Sequence, residues 1–195
     1  MQAQFNQAQS FHQAGNFQQA EAIYRQLLQH EARHPVISAR LGALLHQTNR
    51  KAEALLFFKV AITELPAEYD LLMQGVATAT QLAENELAEQ WLTMAISLKP
   101  NEVLPREQLA GVLIGNHKEI DALALIKSVI KIDPSNAGAY NLKGLALSRL
   151  GETEKGYKAF QKSVKLNPGQ LAVVRNLILY GKGKNEPILE TLIPQ

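Results

Sequence analysis

The sequence predicts an all-α fold, a solenoid of stacked helix-turn-helix repeats, each 34 residues long. Three observations predict it. Prolines 66, 100, 134 and 168 stand 34 residues apart, each just after a short apolar run, as in KIDP and KLNP. Blocks of that length ending two residues past each proline tile the chain without gaps as 1–34, 35–68, 69–102, 103–136 and 137–170. The blocks then agree in phase. Position eight holds Ala8, Gly42, Val76, Ala110 and Gly144, and position twenty holds Ala20, Ala54, Ala88, Ala122 and Gly156. Position twenty-four holds the larger Tyr24, Phe58, Leu92, Ile126 and Phe160. Small side chains let two helices approach closely, and large ones fill the space beside them.

Each block is expected to hold one helix over about its first fourteen positions and a second from about the eighteenth position to the proline. In block one, FQQAEAIYRQLL at 17–28 follows Gly15 and carries Ala20, Tyr24 and Leu27 at helical spacing. This block lacks the closing proline, and Pro35 comes three residues late. Block two pairs Gly42 with Ala54, Phe58 and Ala61 and ends at Pro66. Block three pairs Val76 with Ala88, Leu92 and Ala95, and Glu84, Glu86 and Glu89 gather where its second helix starts. Carboxylates suit the positive end of a helix dipole, so these are expected to cap it. Block four pairs Ala110 with Ala122, Ile126 and Val129. In block five, AYNLKGLALSRLG at 139–151 ends on Gly151, where a left-handed residue can close a helix, and EKGYKAFQKSVKLN follows. A proline cannot continue a helix and biases the residue before it away from α, so it ends each second helix.

The tail continues the phase. QLAVVRNLILYG at 170–181 is apolar nearly all round and matches the first helix of a sixth block. A helix apolar on every side needs cover on both. Residues 171–195 are expected to form a capping helix or a partial sixth repeat plus tail, with PILETLI at 187–193 folding back. Otherwise 171–180 is a docking surface, a self-association contact or the point where a larger protein was cut. Gly181-Lys182-Gly183-Lys184 follows a helix and not a strand, so it reads as a turn.

Composition narrows the function. Of 195 residues, 46 % are hydrophobic and 19 % charged, which is a globular balance. With no cysteine, disulfides, thiolate zinc sites and thiol catalysis are excluded. No run approaches the ~18 apolar residues of a membrane span. The start, MQAQFNQAQSFHQAG, has no basic and apolar leader, so a cytoplasmic protein is expected. Net charge is +2 but uneven: residues 1–102 carry −3 and residues 137–184 carry +7. Lys155, Lys158, Lys162 and Lys165 run at helical spacing, a solvated face more than a nucleic-acid site, and aromatic–basic interleaving is absent.

The pattern resembles the tetratricopeptide repeat family, whose signature places an aromatic near position four, Leu-Gly at seven and eight, an aromatic at eleven, Gly at fifteen, Ala at twenty, an aromatic at twenty-four and Pro at thirty-two. Block five fits through Tyr140, Gly144, Leu147, Gly151, Phe160 and Pro168, and block one through Phe11, Gly15, Phe17, Ala20 and Tyr24. Blocks three and four depart from it, with Gly75 and Val76 in place of Leu-Gly and His117 in place of Gly. The resemblance covers residues 1–170. It implies a right-handed α-solenoid with a C-terminal cap and a concave face lined by first helices.

At the groove-facing phases the resemblance implies Phe5, Gln9, His12, Gln13, Arg40, His46, Gln47, Met73, Gln74, Gln81, Gln108, Asn141 and Arg149 as the peptide-binding set. Gln13, Gln47 and Gln81 share one phase in three successive blocks, and amides can pair with an extended peptide backbone. Some relatives clamp a C-terminal carboxylate with basic and amide residues from three repeats. At those phases this chain has Phe5, Gln9, Arg40, Asp70 and Gln74, so that clamp is not expected.

No phosphate-binding loop, GxGxxG, HExxH, GxSxG or SxxK occurs. His30 and His34 stand four apart, yet no third ligand accompanies them, so neither metal nor cofactor is expected. The expected function is a non-catalytic scaffold, not an enzyme, binding a peptide or protein partner in the groove. The alternatives are an accessory domain of a larger enzyme or assembly machine, for example ahead of a transferase domain, or weak nucleic-acid binding by the basic C-terminal third.

Overall fold

The computed structural model describes residues 1–169. The capping helix or sixth repeat expected over 171–195, the apolar helix 171–180 with its self-association, and the glycine–lysine turn lie outside the described residues. Among the described residues there are ten α-helices and no strand. The chain divides into two compact units, Met1–Pro100 and a second beginning at Asn101.

The first unit holds α1 (Gln2–Gln13), α2 (Phe17–His30), α3 (Pro35–Gln47), α4 (Lys51–Glu64), α5 (Tyr69–Gln81) and α6 (Asn85–Leu98). Here α1 packs on α2, α3 on α4 and α5 on α6, while α2 meets α3, α4 meets α5, and α3 touches α5. The second unit holds α7 (Leu104–Gly115), α8 (Glu119–Ile132), α9 (Ala137–Arg149) and α10 (Thr153–Leu166). There α7 packs on α8 and α9 on α10, and α9 also meets α7 and α8. In every block the second helix spans phases seventeen to thirty, so it starts one residue earlier than expected and, in the four blocks with a closing proline, stops two short of it.

The stop has a common geometry. The residue before each proline, Leu65, Lys99, Asp133 or Asn167, has φ between −127° and −146°. Glu31 does the same at φ −142°, although the next residue is Ala32. The first helices also end alike. Gly15, Asn49, Ala83, His117 and Gly151 all have φ between +57° and +82°. Their own N–H groups reach back to His12, His46, Thr80, Ile114 and Ser148, and the next N–H groups to Phe11, Leu45, Ala79, Leu113 and Leu147. These are the paired bonds of a Schellman ending, which satisfy carbonyls that the helix leaves open.

Helix starts are plainer. His34 accepts from the Ile37 N–H at 3.4 Å with Pro35 at the first turn, and the Asn136 side chain accepts from the Ala139 N–H at 2.7 Å. Glu84 occupies the N-cap of α6 but makes no side-chain cap bond, so its expected capping reduces to a charge at the positive helix end.

The phases fill the core as the sequence requires. All five residues at position eight, all five at position twenty and all five at position twenty-four are buried. A Cβ on Gly144 would come within 2.8 Å of three ring atoms of Phe160, so the missing side chain is the space that Phe160 occupies. Block three solves the same problem one residue earlier. Trp91 and the tip of Ile62 crowd Gly75, each 2.7 Å from where a Cβ would sit, which explains why Gly75-Val76 stands where Leu-Gly was expected. Burying an aromatic or leucine of this kind stabilises by about 1.5–3 kcal/mol.

Candidate functional site

The first unit contains a cavity of about 580 Å³ lined by residues of α1, α2, α3 and α5. Gln9, His12 and Gln13 come from α1, Arg40 and Gln47 from α3, Gln74 from α5, and Phe17 and Tyr24 from α2. The helical repeat puts positions nine, twelve and thirteen on one side of α1, and the 34-residue register brings the equivalent side of α3 next to it. Six of the thirteen groove residues read from the sequence therefore share one cavity.

Contacts within it are specific. The His12 ring stands edge-on to Phe17 at 5.8 Å and to Tyr24 at 6.3 Å between centroids. His12 Nε2–H donates to Gln47 Oε1 at 3.1 Å, which ties α1 to α3 and commits part of the glutamine expected for a peptide. Tyr24 is fully buried, and its hydroxyl has no hydrogen-bond partner among the described residues. Burial pushes the Tyr24 phenol up from its ordinary pKa of 10.0, and the Arg40 guanidinium pulls it partly back.

The other seven residues lie elsewhere. Phe5 packs on Tyr24 at 6.1 Å and lines a smaller cavity of about 180 Å³ with Met1, Gln2, His34, Val36 and Ile37. The His46 Nδ1 lies 2.9 Å from the Thr78 hydroxyl, which also donates to the Gln74 carbonyl, so His46 fastens α3 to α5. Met73 is half-buried and Gln81 exposed, and neither lines either cavity. In the second unit, Gln108 is half-buried with its Oε1 unpartnered, and Asn141 is half-buried. Arg149 approaches Glu119 at 3.6 Å and donates to the Ile114 carbonyl, so it braces the end of α7.

That unit also has an open cavity of about 420 Å³ between α9 and α10, lined by Tyr140, Lys143, Leu147 and Lys162 among others. There Lys155 pairs with Glu152 and the Lys162 ammonium lies 5.9 Å from the Tyr140 ring. Among the described residues, no group of three or more His, Asp or Glu side chains is placed to hold a metal ion. Nor is any described helix long and apolar enough to cross a membrane.

Sequence reasoning treated Tyr24 purely as core. The available signal was its hydroxyl, because the same phase holds Phe58, Leu92, Ile126 and Phe160 in the other blocks.

Two tetratricopeptide repeat family models match, one over residues 5–69 and one over residues 137–170. The chain belongs to the tetratricopeptide repeat family. It is similar in fold to solved members. The crystal structure of YrrB, described as a TPR protein with an unusual peptide-binding site, superposes with a TM-score of 0.80 at 20 % identity, covering 88 % of this chain and 89 % of that one. A tetratricopeptide repeat protein from Parabacteroides merdae gives 0.78 at 14 % identity, covering 92 % and 71 %. A crystal structure of MamA gives 0.75 at 18 % identity, covering 88 % and 93 %. In sequence, the chain is 23 % identical over 188 residues to human protein O-mannosyl-transferase TMTC1, covering 93 % of this chain. It spans about a fifth of the length of that protein, 21 %. The fold is thus an all-α solenoid of helical repeats, and proteins of this family bind protein or peptide partners.

Proposed function

We propose that this tetratricopeptide repeat protein is a non-catalytic scaffold that binds a peptide or partner protein through the first helices of its repeats. The observation that carries this reading is the first-unit cavity, where amide side chains from α1, α3 and α5 converge on one space. Gln9, Gln13, Gln47 and Gln74 can each donate and accept, which suits the alternating N–H and C=O groups of an extended backbone. The peptide-binding site named for YrrB supports the same use of the fold. Binding of this kind leaves moderate affinity, on the order of micromolar, once ordering and lost translation are counted.

The test is affinity capture from the source cell with the intact protein, followed by titration of the recovered partner. Gln13→Ala with Gln74→Ala is expected to weaken binding about tenfold while the melting midpoint stays within a degree or two. Unchanged binding by that double variant would remove the cavity from the interface. An accessory role in a larger protein is compatible with the likeness to a segment of the mannosyl-transferase, and the mass of the natural polypeptide tests it.

A further inference from the structure

The cavity between α9 and α10 is built from other phases than the groove. Tyr140, Lys143 and Leu147 stand at positions four, seven and eleven of their block, where none of the thirteen groove residues falls. Its floor is apolar: Leu147 and Ala159 are buried and Tyr140 is half-buried. Its rim is cationic, with Lys143 from α9 and Lys155, Lys158 and Lys162 from α10. The last three stand at i, i+3 and i+7, on one side of the helix and about 10 Å from end to end. One carboxylate, Glu152, lines the cavity with them, and it pairs with Lys155. Lys143, Lys158 and Lys162 pair with no carboxylate among the described residues.

Block five departs from its neighbours to make this space. At position seven, blocks two to four hold Leu41, Gly75 and Leu109, all buried, and block five holds Lys143. At position twenty-three they hold Phe57, Trp91 and Leu125, and block five holds the smaller Ala159. At position twenty-six they hold Val60, Met94 and Ser128, and block five holds Lys162. The short side chain opens the space and the lysines charge its edge. Lysines three and four apart on one helix repel, so the arrangement costs the fold stability that an anion would restore. Residues 170–195 do not supply that charge, since they carry three Lys and Arg against two Glu.

We propose that this cavity is a second docking surface, for an acidic partner segment that carries one apolar side chain between carboxylates. The apolar chain enters over Tyr140, Leu147 and Ala159, and the carboxylates meet Lys143, Lys158 and Lys162. Apolar burial holds the segment, and the ammonium groups attract and orient it. Two features favour this occupant over a nucleic acid. The lining holds no arginine, so the paired N–H fork that grips a phosphate is absent. The Lys162 ammonium also lies over the Tyr140 ring, 5.9 Å from its centroid, on a face where a base would stack. The surface does not depend on peptide binding in the first unit.

The test titrates the full chain, labelled with ¹⁵N, with three acetylated and amidated peptides. One carries Glu on both sides of a central Leu, the second has Ala for the Leu, and the third has Gln for every Glu. A short oligothymidylate is the fourth probe. The readout is the backbone amides of Lys143, Leu147, Lys158, Ala159 and Lys162, with the side-chain amides of Gln9 and Gln13 as first-unit reporters. Saturable shifts of the second-unit set are expected with the Leu peptide, about tenfold weaker binding with the Ala peptide, and none with the Gln peptide. Raising salt from about 50 mM to about 500 mM is expected to weaken binding about tenfold.

Lys158→Gln with Lys162→Gln is expected to weaken binding about tenfold at an unchanged melting midpoint, because both side chains are exposed. Lys127→Gln with Lys131→Gln, two exposed lysines of α8 outside the cavity, should bind as the parent does. The proposal is overturned if no peptide moves the second-unit amides, if the Leu and Ala peptides bind alike, or if the α8 variant weakens binding as much as the α10 variant. Shifts at Gln9 and Gln13 alone overturn it while the scaffold reading stands. Tighter binding of the oligothymidylate than of the Leu peptide overturns it in favour of a nucleic-acid surface.

Discussion

Gly15, Asn49, Ala83, His117 and Gly151 turn the chain left-handed at the same point of each block, yet only two of them are glycine. The hydrogen bonds around them are the same, so the ending is imposed by the helix pair and tolerated by the residue. A Cβ in that conformation costs about 1–2 kcal/mol, while replacing it by glycine loosens the unfolded chain by about 0.4–1 kcal/mol. Ala83→Gly is therefore expected to stabilise by about 0.5–1 kcal/mol. Gly151→Ala is expected to destabilise by about 1 kcal/mol, and the cost is conformational because nothing lies within 4 Å of the added Cβ. Denaturant midpoints at constant slope check both, and a stabilised Gly151→Ala would refute the argument. Asn49 is a milder case than Ala83, since asparagine accepts this conformation better than alanine. Sequence reasoning found Gly151 here and read His117 as a departure, because it had no view of the backbone that the phase demands.

Between helices, the decisive quantity is the space at the crossing, and two glycines show that it takes both signs. An alanine at 144 would place its Cβ 2.4 Å from a ring atom of Phe160, inside a buried pair. Overpacking of this kind costs about 1–3 kcal/mol, against a gain of about 0.5–1 kcal/mol in helix propensity. Gly144→Ala is expected to destabilise by about 1–2 kcal/mol. Gly111, also inside a helix, would meet only Leu142 Cδ2, at 3.9 Å. Gly111→Ala is thus expected to stabilise by about 0.5–1 kcal/mol. Thermal melts of the two variants beside the parent should move in opposite directions, and a shared sign would refute the packing register. The prolines show a related limit. They reset the chain after four second helices, yet Glu31 takes the same extended conformation before Ala32. The following helix supplies what the proline omits, since Pro35 and the His34 cap start α3 at the expected place.

Across the described chain, the repeat was legible because close packing at one phase forces small residues there in every block, and residues two past each proline divide the helices well. The cavity was half legible. Gln9, Gln13 and Gln47 follow from phase, but Tyr24, which also lines the cavity, was hidden because its phase is the core phase of every block. Ion pairs between blocks were not legible either, since long side chains choose partners only once the helices are side by side. Glu21 and Arg25 of α2 meet Arg50 and Glu53, the N-cap and first turn of α4, in one network. Hydrogen bonds from Arg25 first, then Arg50, hold the Glu53 carboxyl below its ordinary pKa of 4.5. On Arg25, burial lowers the pKa, but the bonds to Glu53 and Glu21 outweigh it and leave the group raised. Hydrogen bonding to Glu21, then Glu53, likewise raises Arg50. The arginines therefore stay charged at every accessible pH, and the lowered pKa of Glu53 couples the network to pH. Because its folded pKa is depressed, the unfolded chain takes up the proton first. The stabilisation is present above the ordinary carboxylate value and is lost as the pH falls through the lowered one. These side chains are partly exposed, so each pair contributes modestly and salt screens it. Glu53→Gln is accordingly expected to lower the denaturant midpoint at neutral pH, and to match the parent once the pH lies below the depressed value. Raising salt to about 1 M should narrow the neutral-pH gap, since the screening length falls to about 3 Å. A gap that persisted unchanged in acid would show that Glu53 stabilises the first unit through packing and not through its charge.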